Sequence, residues 1–152
     1  MPKKFKSFLK KISTGAVKYQ DPRTIKPSIV DKEVRKAVIT INKSSWCWTL
    51  WSCQGHIYSD ECTNLPYLTF VVKKKYKEEL LGLLFSTLPP YKDKEFPIVP
   101  NVDIKFDYAF FDKKYCVMSV VWAEKFLYDD YLINFLYNRL EKVAKIIKKK
   151  HK

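Results

Sequence analysis

The run Trp46-Cys47-Trp48-Thr49-Leu50-Trp51-Ser52-Cys53-Gln54-Gly55-His56 drives an aromatic, apolar segment straight into a short polar turn. An aromatic, largely apolar run suits a strand buried in a sheet, whereas Ser-Cys-Gln-Gly-His suits the exit from one. The stretch holds three of the four tryptophans, two of the four cysteines and one of the two histidines. A thiol, an imidazole and a glycine backbone therefore gather at one sheet end, and irregular segments there commonly carry function.

Around this strand the hydrophobic period alternates. Phe5, Phe8, Leu9 and Ile12 fall at helical spacing between lysines, predicting a short amphipathic helix before Gly15. Tyr19 to Pro27, with prolines at 22 and 27, reads as an irregular connector. Ser28-Ile29-Val30-Asp31 has the form of a capping box, and Val30, Val34, Ala37, Val38 and Ile41 trace one face of a helix from Ile29 to Asn42. Strands follow at Trp46 to Cys53 and Tyr67 to Val72, with Gln54 to Asn64 as the polar loop between them.

Tyr76, Leu80, Leu83, Leu84 and Leu88 mark another helix, which Pro89-Pro90 would stop. Alternation at Ile104, Phe106, Tyr108 and Phe110 and the return Tyr115 to Trp122 predict a hairpin about Asp112-Lys113-Lys114. Asp129 or Asp130 caps a last helix carrying Leu132, Phe135, Leu136, Leu140, Val143 and Ile147, with lysines at its negative dipole end. The order helix, two strands, helix, two strands, helix predicts an α+β fold with an antiparallel-rich sheet of about four strands and helices mainly on one face. Residues 1–27 form a basic helix and connector, and 28–152 a single α+β domain ending in a lysine-rich helix. Trp46, Trp48, Phe106, Tyr108 and Phe110 read as core, or as a base-stacking platform if the second sheet face is uncovered.

With Lys+Arg 29 against Asp+Glu 16, the formal charge is +13. The excess is clustered: Lys3, Lys4, Lys6, Lys10 and Lys11; Lys73, Lys74, Lys75 and Lys77; and Lys142, Lys145, Lys148, Lys149, Lys150 and Lys152. Such a field attracts polyanions at long range, and lysine grips phosphate as a point charge without reading base sequence. Nucleic acid or a phosphorylated nucleotide is the expected partner, with a solvated basic surface as the plain alternative. No apolar run approaches the roughly 18 residues of a membrane helix, and the N-terminus lacks a secretory apolar core, so a cytoplasmic protein with free thiols is expected.

The turn offers chemistry as well as binding. Cys53 and His56 are the candidate catalytic pair, a thiol and an acid/base within three residues. Ser52, Gln54 and Gly55 are candidate ligand contacts, with Thr49 on the strand side of Cys53; Trp48, Trp51 and Tyr58 offer stacking surfaces, and Lys73, Lys74 and Lys75 phosphate contacts. Asp60 and Glu61 could orient His56, while His151 lies in a lysine tail without neighbours that suggest chemistry. Cys47, Cys53, His56 and Cys62 are zinc-ligand types, but a strand rise of roughly 3.3 Å per residue sets Cys47 about 20 Å from Cys53. Cys53, His56 and Cys62 could still meet within the loop, and no metal or cofactor is assigned.

Ser52-Cys53-Gln54-Gly55-His56, preceded by a helix and followed by Pro66-Tyr67-Leu68-Thr69-Phe70, resembles small bacterial, archaeal and phage proteins with a Ser-Cys-x-Gly-His turn. More distantly it is similar to the wybutosine-synthesis tRNA methyltransferase family, whose strand ends in Ser-Cys-Ser-Gly-Arg. The shared stretch runs from about Val30 to Val72. That resemblance implies S-adenosylmethionine chemistry on a hypermodified guanosine, with the turn near the active centre. Ser52, Cys53 and Gly55 match, while Gln54 replaces a serine and His56 an arginine. Three functions follow: nucleic-acid or nucleotide binding at the turn; an RNA- or nucleotide-modifying enzyme using His56 and Cys53; or a protein-binding module, viral in type, that occupies an acidic partner.

Overall fold

The structure is a computed structural model that describes residues 3–13, 21–59, 62–88 and 104–152. It is an α+β fold. The strands β1 (Cys47–Cys53), β4 (Tyr67–Lys73), β5 (Ile104–Phe111) and β6 (Tyr115–Trp122) form a fully antiparallel sheet in the order β1-β4-β6-β5. The helices α1 (Lys3–Ile12), α2 (Lys32–Ile41), α3 (Lys77–Phe85) and α4 (Asp130–Lys149) alternate with them along the chain. The expected stops at Gly15 and at Pro89-Pro90 lie outside the described residues.

One face of the sheet is the main core. Leu68, Phe70 and Val72 of β4 and Cys116, Met118, Val120 and Trp122 of β6 meet Val34, Ala37, Val38 and Ile41 of α2, Leu80 and Leu84 of α3, and Leu136, Leu140, Val143 and Ile147 of α4. Buried indole N–H groups favour a partner, and two of the three here have one, while Trp48 Nε1 has none among the described residues. Trp46 Nε1 donates to the Ile147 carbonyl at 2.8 Å, and Trp122 Nε1 to Thr87 Oγ1 at 2.8 Å. Asp129 caps α4 as expected, its side chain accepting from the Leu132 amide.

The second face is covered where a stacking platform would need it open. Phe5, Phe8, Leu9 and Ile12 of α1 pack on Trp48, Leu50, Val71, Tyr115 and Val117, with the Phe5 ring 4.3 Å from that of Trp48. Trp48 is thus core, not a base-stacking surface. Phe110 lies outside the described side chains.

Several local expectations are corrected. The loop Gln54 to Asn64 contains a second, two-stranded sheet, β2 (His56–Ser59) with β3 (Cys62–Asn64). The helix expected from Ile29 starts at Lys32, because Pro27–Ile29 forms a short 3-10 turn and Val30 is extended. The register of β1 shifts between Thr49 and Trp51, pairing Thr49 with Phe70 but Cys53 with Tyr67. Partners in an antiparallel pair share a face, so this irregularity puts Thr49 and Cys53 on opposite sides.

His151 is also not a loose tail residue. Its backbone turns to φ 56, its ring stacks 3.7 Å from Tyr76, and its Nε2 meets Glu79 beside the Lys150 ammonium. Hydrogen bonds from Lys150 and His151 hold the Glu79 carboxyl below the usual glutamate range. A depressed folded value contributes stability above the unfolded one and loses it as pH falls through the folded value. Acid unfolding of Glu79→Gln should therefore be flatter below about pH 4.5 than that of the parent chain. Phe5→Ala should cost about 3 kcal/mol in chemical denaturation and red-shift tryptophan emission, as Trp48 loses its cover.

Candidate functional site

Asp31, at the start of α2, reaches across to the turn that ends β1. Its Oδ2 accepts from the Gln54 amide at 3.0 Å and lies 2.9 Å from His56 Nε2. Gln54 reciprocates, its Oε1 accepting from the Glu33 amide at 2.9 Å. The first free amides of a helix need acceptors. Here one is supplied from 21 residues away, so Asp31 gives up capping its own helix and turns to the strand end. The Ser28 and Asp31 box expected from local spacing does not form, because α2 starts at Lys32 and Asp31 itself stands at the N-cap, without a side-chain cap bond.

The turn is held from a third side by α4, where the Tyr137 hydroxyl donates to the Gln54 carbonyl at 2.6 Å. Gly55 has φ +91, and a Cβ there would stand 2.4 Å from Leu127 Cδ2 and 2.9 Å from Pro66 Cγ. Both the positive φ and the close approach require glycine. His56 then opens β2, its ring 5.7 Å from that of Tyr58 at an interplanar angle of 25°. Cys53 is buried, and its Sγ accepts from the Gly55 amide at 3.4 Å.

The electrostatics separate the roles of these groups. Burial opposes ionisation of Asp31, but the Gln54 amide and His56 outweigh it and keep the carboxyl below its ordinary range. Burial raises the Cys53 thiol, and the Asp31 charge adds to that against the Gly55 amide. Without another cation, Cys53 rests as a thiol and not as the thiolate that nucleophilic attack requires. Burial also pushes the Tyr137 hydroxyl up to about 12, with Glu33, Cys53 and Asp31 contributing. The turn thus holds an ionised carboxylate against an imidazole, beside a protonated thiol.

Asp31 does not stand out in the sequence as a site residue, because its place just ahead of α2 reads as a helix cap. Asp60 and Glu61, the expected orienters of His56, lie outside the described residues. Cys53, Gln54, Gly55 and His56 do come together, but Thr49 is engaged elsewhere, donating through its hydroxyl and amide to Asn42 Oδ1. Ser52 is half-buried on the strand, while Trp51 and Tyr58 are the exposed aromatics near the turn. Lys73, Lys74 and Lys75 lie at the other end of β4, since Cys53 pairs with Tyr67 and Cys47 with Val72. That separation is about 20 Å at the rise of a strand.

The ligand atoms of Asp31, Cys53 and His56 all lie within 4.8 Å of one another. Cys62 does not join them; it is exposed on β3. Three surface cavities of about 560, 650 and 410 Å³ are lined by residues other than Ser52 to His56. Gly55→Ala should lower stability by about 2 kcal/mol in urea denaturation, as the added methyl group meets Leu127 and the backbone leaves its unstrained well. An unchanged midpoint would mean that the turn is not packed in this way.

No known family profile matches the chain, and no curated protein matches it. Among solved structures, the PH1069 protein from Pyrococcus horikoshii is similar at 15% identity and a TM-score of 0.34, over 81% of this chain and 86% of that one. A likeness of that size carries no argument about fold or function.

Proposed function

We propose that the protein binds nucleic acid through its lysine-rich end, the end of the sheet opposite the Cys53–His56 turn. The observation that supports this is the convergence of lysines far apart in sequence. The Lys74 amide donates to the Lys114 carbonyl at 2.7 Å, which joins the run Lys73 to Lys75 to the β5–β6 turn. Lys11 of α1 lines the same cavity as Lys113 and Lys114. His151, stacked on Tyr76, brings the last turn of α4 with Lys148, Lys149 and Lys150 to this end as well.

Among the described residues, Asp112 lines the cavity of Lys113 and Lys114, Glu78 pairs with Lys77 at 3.9 Å, and Glu79 is shared by Lys150 and His151. A surface of point charges of this kind fits a phosphate backbone and predicts little base preference. The second reading is an RNA- or nucleotide-modifying enzyme, favoured by the 2.9 Å pairing of Asp31 with His56, in which Asp31 orients an acid/base imidazole. The two differ in which end of the sheet matters.

Fluorescence anisotropy with a labelled RNA oligonucleotide tests them. Affinity should fall linearly on a log scale with salt. Replacing the exposed Lys75, Lys113 and Lys149 by alanine together should weaken binding at least ~10-fold and flatten the salt slope by about 0.7 for each phosphate no longer neutralised. Salt-independent binding, or equal binding by the triple variant, would overturn the assignment to this end. Turnover abolished by His56→Gln in a folded protein would support the second reading.

A further inference from the structure

We infer that Asp31, Cys53 and His56 form a binding site for one divalent transition-metal ion of the zinc class. This goes beyond the nucleic-acid reading and does not rest on it, because its residues lie at the other end of the sheet. The three side chains come from three elements: the start of α2, the end of β1 and the start of β2. Their ligand atoms nevertheless converge within 4.8 Å. A tetrahedral ion bound at roughly 2.0 to 2.3 Å holds its donors about 3.3 to 3.8 Å apart. The 2.9 Å between His56 Nε2 and Asp31 Oδ2 needs only a small side-chain rotation to admit an ion where a proton is now shared.

The donor set is selective. A thiolate, an imidazole and a carboxylate suit zinc and its cobalt and nickel analogues better than magnesium or calcium, which prefer all-oxygen shells. Supporting contacts are already in place. The Gln54 amide binds the Asp31 oxygen, and the Gly55 amide points at the Cys53 sulfur, an arrangement that stabilises sulfur as it becomes a thiolate. On binding, Cys53 releases its thiol proton to solvent and its sulfur takes the ion as partner.

Three protein ligands leave a fourth position for water or a substrate oxygen, the arrangement of an open rather than a closed zinc site. The His56 and Asp31 side chains are 31% and 32% exposed, so that position is reachable from solvent. Cys62 plays no part in the site, which makes it an internal control on the same hairpin.

The test is a titration of the full, chelator-treated chain with zinc against a chromophoric competitor, and with cobalt by absorbance. One ion per chain is expected, with a near-ultraviolet sulfur-to-cobalt charge-transfer band. Cys53→Ser should remove that band, and Cys53→Ser and His56→Gln should each weaken zinc at least ~10-fold, while Cys62→Ser changes neither. Circular dichroism of each variant confirms folding, and Asp31→Asn serves as a second variant if His56→Gln unfolds. Absence of stoichiometric zinc, or a charge-transfer band that survives Cys53→Ser and disappears in Cys62→Ser, would overturn the site. RNA binding unchanged by added chelator is expected, which keeps a failure here distinct from a failure of the nucleic-acid reading.

Discussion

The Asp31 carboxylate is the joint between the helical layer and the end of the central strand. By accepting from the Gln54 amide while facing His56, it fixes a turn that would otherwise be a glycine-containing exit from β1. Gln54 caps α2 while Asp31 holds its backbone amide and Tyr137 of α4 its carbonyl. Polar groups half-withdrawn from water gain most when every partner is present, and lose most when one is removed. One side chain thus ties the start of α2 to the end of β1 and the start of β2.

That arrangement divides the molecule into two ends with different chemistry. At one, a carboxylate, an imidazole and a thiol lie within 4.8 Å of one another beside Gly55. At the other, Lys11 of α1 lines a cavity with Lys113 and Lys114, Lys74 joins Lys114 through the backbone, and His151 stacks on Tyr76 beside the end of α4. The sheet between them is covered by α2, α3 and α4 on one face and α1 on the other, so neither end is an extension of an exposed sheet surface.

Much of this architecture is legible from residue pattern. β1 stands out as an aromatic, apolar run, β5 through alternation and α4 through helical spacing, and Asp129 is legible as the α4 cap because that bond spans only three residues. The hairpin β2–β3 escapes such a reading because its strands, His56–Ser59 and Cys62–Asn64, are short and expose alternate and neighbouring side chains alike, leaving no period to detect. The β1 irregularity escapes for a related reason: which of Thr49 and Cys53 faces which layer depends on pairing with β4, not on spacing within β1. Cys53 to His56 stands out as a site from its composition, but its partner Asp31 is hidden by a plausible local use as a helix cap. The same holds for His151, whose neighbours Tyr76 and Glu79 are more than 70 residues away.

The coupling between Asp31 and His56 carries most of the account and can be measured directly by a double-mutant cycle. Asp31→Asn, His56→Gln and the double variant would be compared by urea denaturation in chelator, where metal makes no contribution. A coupling energy of about 1 kcal/mol or more is predicted for a part-buried carboxylate–imidazole pair in hydrogen-bond contact. Additive effects within ~0.3 kcal/mol would show that the two side chains act independently, and would contradict the turn as described.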